Sequence, residues 1–264
     1  ARPKWTYRVF DLAVQTDGVR LDCGLLLPGR DLAAHLRGCS RAALLAATLS
    51  APVDALLRRA QAEDLAAAVA LDCCATAAVE AVCAGWSGEA DPSDLAERIA
   101  QAHQAVRKRQ TPDCTMKSTA VVLAVHGTDA AWAHVGDSRL YHFFQGRLDF
   151  QTRDHSASQV AVMLGEITPD QIRFHEDRSR ILRALGQEGD LHAETGSRTL
   201  APGRHAFLLC SDGFWEYVLE AEMESELRAA KTPQEWLDAM RDRLSRRASA
   251  DNDNNTAAAV WIDI

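Results

Sequence analysis

The chain has 264 residues, of which 47% are apolar and 25% are charged, a composition typical of a soluble globular protein. Its net charge of −8 argues against a nucleic-acid groove, because neutralising phosphates requires clustered Lys and Arg. No apolar run is long enough to cross a membrane, the first residues lack the hydrophobic segment of a signal peptide, and the seven cysteines form no metal-binding pattern. We therefore expect a cytoplasmic protein with buried free thiols and with no nucleic-acid or membrane partner.

The first part of the chain predicts a β-hairpin followed by helices. Two β-like runs and the turn between them are residues 5–14, residues 19–27 and Thr16-Asp17-Gly18. The Ala/Leu-rich stretch from Asp31 to Trp86 predicts helices with a break near Pro52. Asp91 followed by Pro92 predicts the N-cap and the first position of a further helix that ends near Arg109.

After Pro112 the pattern changes to short apolar runs separated by Gly, Asp and Ser. This pattern favours antiparallel strands over the strand–helix alternation of a parallel sheet. We predict strands at residues 117–125, 130–135, 140–144, 191–199, 205–210 and 256–262, and helices at 156–164, 169–174, 220–230 and 233–248. The prediction is one α+β domain over residues 1–264, with a helix-rich first half at 1–111 and a strand-rich second half at 112–264.

Three aspartates occupy the same local setting beside predicted strands. Asp137 and Asp212 each follow an apolar strand, and Asp253 precedes the last strand. Each alone is an ordinary turn residue. Strand ends of one sheet converge, however, and converged carboxylates repel each other by about 1 to 4 kcal/mol per pair at roughly 4 Å. A hard divalent cation removes that repulsion, so the pattern indicates a site for Mg²⁺ or Mn²⁺ rather than zinc.

With these residues in view, the second half resembles the metal-dependent protein phosphatases, the type 2C serine/threonine family, and its bacterial branch in particular. Six segments follow the family's order: Met116-Lys117-Ser118-Thr119, Gly136-Asp137-Ser138-Arg139, Asp154-His155-Ser156, Arg183-Ala184-Leu185-Gly186, Ser211-Asp212-Gly213 and Asp253-Asn254-Asn255-Thr256. The bacterial branch is indicated by Leu164-Gly165-Glu166-Ile167-Thr168-Pro169.

The resemblance implies a central β-sandwich of two antiparallel sheets flanked by helices, with two or more Mn²⁺ or Mg²⁺ ions at one end. It implies that Asp212 and Asp253 ligate one ion of a catalytic pair and that Asp137 shares a further metal position with Asp212. It identifies no catalytic side chain, since a metal-activated water would attack phosphorus directly.

The first half departs from the family pattern. It lacks an arginine followed by Asn-Glu-Asp, and it lacks the Asp-Gly-x-Gly-Gly turn whose aspartate bridges two metals. Candidate replacements as metal ligands are Asp31, Asp22 and Asp11, although each also fits an ordinary turn or surface aspartate. Arg20 is a candidate phosphate contact. Lys117, which replaces a glycine of the family, is either a second phosphate contact or a solvated lysine at a strand end.

Two functions follow from the resemblance. The first is a metal-dependent phosphatase that hydrolyses phosphoserine and phosphothreonine in a phosphoprotein substrate. The second is a catalytically weak or inactive pseudophosphatase that binds a regulatory protein partner. The missing bridging aspartate favours the second. We favour the first, because three converging carboxylates without a cation would destabilise the fold.

Overall fold

The structure is a computed structural model that describes the backbone of residues 7–16, 19–28 and 47–48, and in full residues 78, 81–82, 90–112, 117–248 and 255–264. The strands are β1 (Tyr7–Thr16), β2 (Val19–Pro28), β3 (Ala47–Thr48), β4 (Ala120–His126), β5 (Asp129–Val135), β6 (Arg139–Phe144), β7 (Arg147–Gln151), β8 (Glu194–Thr199), β9 (Arg204–Cys210) and β10 (Ala257–Asp263). The helices are α1 (Pro92–Lys108), α2 (Ala157–Met163), α3 (Asp212–Trp215), α4 (Glu220–Ala229) and α5 (Pro233–Arg247), with a 3₁₀ helix at Pro169–Phe174.

The strands form two antiparallel sheets. The six-stranded sheet has the order β1-β2-β10-β9-β6-β7, and the four-stranded sheet has the order β3-β4-β5-β8. The predicted first hairpin is confirmed, with Thr16 paired to Val19 across its turn. Because β2 pairs with β10, the last strand of the chain, the first and second halves share one sheet.

Alternating side chains along the strands divide the interior into three apolar layers. In β9, Phe207 and Leu209 pack between the two sheets, whereas Ala206 and Leu208 pack under α4 and α5. A third layer lies between α1 and the outer face of the four-stranded sheet. The period of two along each strand thus produces the order helices, sheet, sheet, helices. The predicted α+β sandwich is confirmed.

Helix α1 follows its sequence signals. The Asp91 side chain accepts a hydrogen bond of 2.8 Å from the Ser93 backbone N–H, and Pro92 takes the first helical position. Both features were predicted. None of the helices in the described part of the chain is long and apolar enough to span a bilayer.

Two expectations were wrong. Ala47–Thr48 pairs with β4 as a strand, inside the stretch predicted as helical. The first three strands after Pro112, which we expected to form one consecutive antiparallel meander, divide between the two sheets, because β5 and β6 lie in different sheets. The predicted helix at Pro169–Phe174 is present as a 3₁₀ helix. The edge strand β7 and the short helix α3 were not predicted, since β7 is half polar and α3 has only 4 residues.

Candidate metal centre

Asp137 lies in the short crossover that carries the chain from β5 to β6. Gly136, just before it, has φ +98°, and a Cβ atom at this position would lie 2.3 Å from Thr119 Cγ2. Only glycine fits so close a contact at this backbone angle. On the other side of Asp137, the Ser138 hydroxyl lies 2.8 Å from Thr119 Oγ1. Thr119 therefore forms a wall against which the Asp137 turn is fixed.

Asp212 is brought to the same end of the six-stranded sheet by strand register. It begins α3, two residues after Cys210, and Cys210 is paired with Arg139 at the start of β6 and with Ala257 at the start of β10. Two further hydrogen bonds of 3.0 Å join Ser211 to Thr256. The end of β9 and the starts of β6 and β10 thus meet at one place.

The electrostatics of Asp137 are those of a carboxylate that lacks its partner. The side chain is buried, with 3% of the residue exposed, and its Oδ2 accepts no hydrogen bond. Burial, and then the nearby charges of Asp212 and Asp154, raise the pKa of Asp137 to about 8. A buried carboxylate oxygen without a donor, beside a second carboxylate, fits a hard cation that takes oxygen ligands. The donor set therefore fits the group predicted from the sequence.

A buried ion pair supports the Asp137 turn from behind. Arg139 donates two hydrogen bonds of 2.7 Å to the two carboxylate oxygens of Asp154. Its guanidinium stacks 3.5 Å from the ring centroid of Trp215, whose indole N–H donates to the Asp137 carbonyl oxygen at 2.9 Å. Asp154 does not cap the nearby helix α2, whose N-cap is Ser156. Arg139 and Asp154 both lie in motifs that the sequence showed, but the sequence did not predict that they pair.

The Arg183–Gly186 segment joins the same assembly. Ser118 and Leu185 exchange two backbone hydrogen bonds, of 3.2 and 2.8 Å. The Gly186 N–H donates to His103 of α1 at 3.2 Å. Lys117, next to this bridge, is exposed. The described residues of five of the six motif segments therefore pack around the ends of β5, β6 and β9. The sixth segment, at 253–256, is described only at its last two residues.

The candidates from the first half lie at known strand positions. Asp22 pairs with Trp261 and Arg20 with Asp263, whereas the sheet end that holds Asp212 is marked by Ala257. Trp261 is four residues from Ala257, which places Asp22 about 13 Å along the strand from that end, and Arg20 further away. Asp11 pairs with Gly24 and lies on the edge strand. The register therefore does not favour these three positions as site residues.

Asp31 and Asp253 lie outside the described residues. The chain on one side of each is described, however. β2 ends at Pro28, just beyond the pair Leu26–Ala257, and β10 begins at Ala257. In the sequence, Asp31 follows the end of β2 by three residues, and Asp253 precedes the start of β10 by four. Both of these strand ends lie at the Asp212 end of the six-stranded sheet.

A second group of potential ligands lies beside the Asp137 turn. Among the described residues, His134, His155 and Glu194 bring one ligand atom each to within 4.8 Å of the others. The two imidazole rings are stacked, with centroids 4.8 Å apart and planes 9° from parallel. A metal ion binds in the plane of an imidazole, and stacked rings do not point their lone pairs at one position. This geometry disfavours a shared cation.

The β-sandwich is the fold of solved serine/threonine phosphatases, as comparisons with two of them show. A Streptococcus agalactiae serine/threonine phosphatase superposes over 100% of this chain and 96% of its own, with a TM-score of 0.65 at 18% identity. The Mycobacterium tuberculosis phosphatase PstP superposes over 99% of this chain and 98% of its own, with a TM-score of 0.64 at 21% identity. At these identities the likeness establishes the fold.

Sequence comparisons point to the same class. A serine/threonine phosphatase Stp of Listeria monocytogenes is 32% identical over 139 residues, which are 52% of this chain and 54% of the relative. M. tuberculosis PstP is 33% identical over 143 residues, which are 53% of this chain and 27% of the relative. The matched part thus spans about half the length of Stp and less of PstP, and no family model matches. These matches confirm the resemblance to bacterial type 2C protein phosphatases.

Proposed function

We propose that this chain is a metal-dependent protein phosphatase that hydrolyses phosphoserine and phosphothreonine. The observation that carries the proposal is the buried Asp137 carboxylate, which has an oxygen without a hydrogen-bond donor and lies beside Asp212. Asp137, Asp212 and Asp253 are the proposed ligands. The relatives named as serine/threonine phosphatases support the activity, and a related PstP catalytic domain was solved with 2 manganese ions.

The proposed cations are Mn²⁺ or Mg²⁺, with two or more bound in the active protein. When bound, they would polarise the phosphoryl oxygens and lower the pKa of a water molecule, which is the chemistry that phosphate-ester hydrolysis requires. The chain itself contributes position and charge. The packing of Gly136 on Thr119 and the bond from Trp215 fix the Asp137 backbone, and the Ser211–Thr256 bonds fix the strand end before Asp212.

A covalent mechanism through Cys210, the cysteine that the described part of the chain places two residues before Asp212, is disfavoured. Cys210 is fully buried, and burial raises the pKa of its thiol well above the ordinary range. The thiol therefore stays protonated, whereas a nucleophilic cysteine acts as the thiolate. Direct attack by water, with charge neutralisation at the phosphoryl group, is the mechanism that this site supports.

The remaining ligand of the proposed centre should come from the first half of the chain. Asp31 is the preferred candidate, because β2 ends at Pro28 on the Asp212 side of the sheet and Asp31 follows three residues later. Asp22 and Asp11 are disfavoured by their register positions. Arg20 and Lys117 are weaker candidates for phosphate contacts, Lys117 being the nearer of the two in the fold.

We further propose that residues 1–264 act as one domain, since strands from both halves share the six-stranded sheet. The proposed partner is a phosphoprotein substrate. A cytoplasmic location is also proposed, because an odd number of cysteines without a disulfide pattern is typical of a reducing compartment. Among the described residues, the free Cys210 agrees with this proposal.

The experiment is phosphate release from a phosphoserine peptide and from para-nitrophenyl phosphate, with Mn²⁺, with Mg²⁺ and with EDTA. We expect activity that requires the metal, is lost in Asp212→Asn and is kept in Asp242→Asn, a control on the exposed face of α5. Activity that persists in EDTA would contradict the proposal. Mn²⁺ binding without hydrolysis would instead support the pseudophosphatase.

A further inference from the structure

His155 is joined to Gly136 by two hydrogen bonds. The His155 backbone N–H donates to the Gly136 carbonyl oxygen at 2.9 Å, and the Gly136 N–H donates to His155 Nδ1 at 3.1 Å. Gly136 directly precedes Asp137, and its N–H is buried. The His155 ring therefore supplies the acceptor that this buried donor needs.

These contacts fix the proton of the neutral ring. Because Nδ1 accepts from Gly136, the proton of neutral His155 lies on Nε2. Nε2 makes no hydrogen bond to the described residues but lies 3.5 Å from a carboxylate oxygen of Glu194 at the start of β8. Burial keeps the pKa of His155 low, at about 4. Histidines that bind a metal are typically oriented by a carboxylate at the second ring nitrogen, and Glu194 holds the corresponding position beside His155. His134 stacks on the ring and donates its own Nε2–H to the Arg153 carbonyl at 2.8 Å.

We propose that His155, oriented by Glu194, is a positioning residue for the cation that Asp137 binds. This inference rests on the proposed function, since it assigns His155 and Glu194 to the support of that same site. His155 would not touch the cation. It acts through the two peptide planes that flank Gly136: the His155 ring accepts from the Gly136 N–H, and the His155 backbone N–H donates to the Gly136 carbonyl oxygen.

The turn has little other freedom, which is why one acceptor matters. Thr119 lies against Gly136 on one side, and the Trp215 indole N–H holds the Asp137 carbonyl oxygen. Without the His155 acceptor, the buried Gly136 N–H must rotate to find another partner. Such a rotation moves the adjacent Asp137 carboxylate away from Asp212.

Two substitutions of His155 separate the ring's two contacts. In His155→Asn, the amide oxygen takes the place of Nδ1 and can accept from Gly136. In His155→Gln, the longer side chain reaches towards Glu194 and leaves Gly136 without its acceptor. The half-exposed Glu194 allows Glu194→Ala, which removes the orienting carboxylate at little risk to folding. His192→Gln, at an exposed histidine before β8, is the control.

The measurement is Mn²⁺ binding to the full chain, followed by calorimetry and by the electron paramagnetic resonance of free Mn²⁺. Asp137→Asn identifies the binding event that depends on Asp137. We expect His155→Gln to weaken that same event by about 10- to 100-fold. His155→Asn should stay close to wild type, and Glu194→Ala should fall between them. The double variant of Asp137→Asn and His155→Gln should bind no more weakly than Asp137→Asn alone.

A merely structural role gives a different result. It would lower the melting temperature of the Asn and Gln variants alike in EDTA and leave Mn²⁺ affinity unchanged, which would overturn the inference. If His155→Gln does not fold, wild-type Mn²⁺ affinity in Glu194→Ala overturns it equally. If the wild type hydrolyses phosphate with Mn²⁺ but His155→Gln binds Mn²⁺ like the wild type, only the positioning role fails. If the wild type binds no Mn²⁺, both this inference and the proposed function fail.

Discussion

Asp137→Asn should stabilise the metal-free protein, although the residue lies in a tightly packed turn. The substitution keeps the shape of the side chain and removes its charge. In the folded protein, burial, Asp212 and Asp154 raise the pKa of this carboxyl from 3.8 to about 8. Between these two values the folded chain holds a proton that the unfolded chain has released. Wild-type stability should therefore fall as the pH rises from about 4 to about 8.

The size of the effect follows from that pKa shift. One pKa unit corresponds to about 1.4 kcal/mol, so a rise to about 8 sets an upper bound of about 6 kcal/mol above pH 8. Asparagine leaves a buried amide that needs partners, which costs about 1 to 3 kcal/mol. We expect a net gain of about 2 to 4 kcal/mol for Asp137→Asn at pH 8 in EDTA, and a gain close to zero at pH 5.

Urea denaturation in EDTA at pH 5 and pH 8 measures this difference. All other titrating groups are common to the wild type and the variant. The difference between their free energies of unfolding therefore changes with pH only through Asp137. Asp242→Asn on α5 should show no such change. Excess Mn²⁺ should reverse the order of stability, because only the wild type keeps the full ligand set. If the variant is less stable than the wild type at both pH values, Asp137 is a structural turn residue and not an uncompensated buried carboxylate.

Three other predictions follow from the same region and from the sandwich interior. Asp212→Asn should weaken Mn²⁺ binding by more than about tenfold in calorimetry and leave the metal-free protein no less stable in a melting experiment. Asp154→Asn should lower the free energy of unfolding by about 3 to 5 kcal/mol in urea titrations, because it leaves the buried charge of Arg139 unpaired. If the free energy of unfolding falls by less than about 1 kcal/mol, the ion pair does not stabilise the fold in this way. Burial, Arg198 and His205 lower the pKa of His142 to about 3, so the ring is neutral in the folded protein at neutral pH. The free energy of unfolding should therefore fall as the pH drops from about 6.5 towards 3, by up to about 1.4 kcal/mol per pH unit. Melting curves at pH 7 and pH 4 check this, and His142→Gln should reduce the difference.

Local signals in the sequence predicted the elements well. The hairpin turn before Val19 and the cap of α1 by Asp91 depend on neighbouring residues, and both were confirmed. The passage of the chain at Gly136 from the four-stranded sheet to the six-stranded sheet could not be predicted from neighbouring residues. Apolar runs show that strands exist, but the choice of sheet depends on partners distant in sequence, such as Cys210 for β6.

The candidate site also combines residues that the sequence indicates with contacts between distant residues that it does not. The motifs indicated Asp137 and Asp212 as site residues, and the structure places both at one end of the sheet. The ion pair behind them could not be predicted, because Arg139 begins β6 and Asp154 lies 15 residues later, in the loop that follows β7. Glu194 carried no sequence signal at all, since it lies outside every motif, in an edge strand that has no apolar side chain. A buried arginine must have an anionic partner, and this rule would have prompted a search for one.

Anomalous diffraction from a crystal grown in Mn²⁺ would show whether the aspartates bind metal. We expect manganese peaks within about 2.0 to 2.6 Å of carboxylate oxygens of Asp212 and Asp253, and a further peak beside Asp137. We also expect a carboxylate from the first half of the chain, with Asp31 preferred, at the same distance from the metals. Crystals without a manganese peak at Asp137, Asp212 or Asp253 would contradict the proposed metal centre. A fully active enzyme whose metals have no carboxylate ligand from the first half would contradict the assignment of Asp31 and its alternatives.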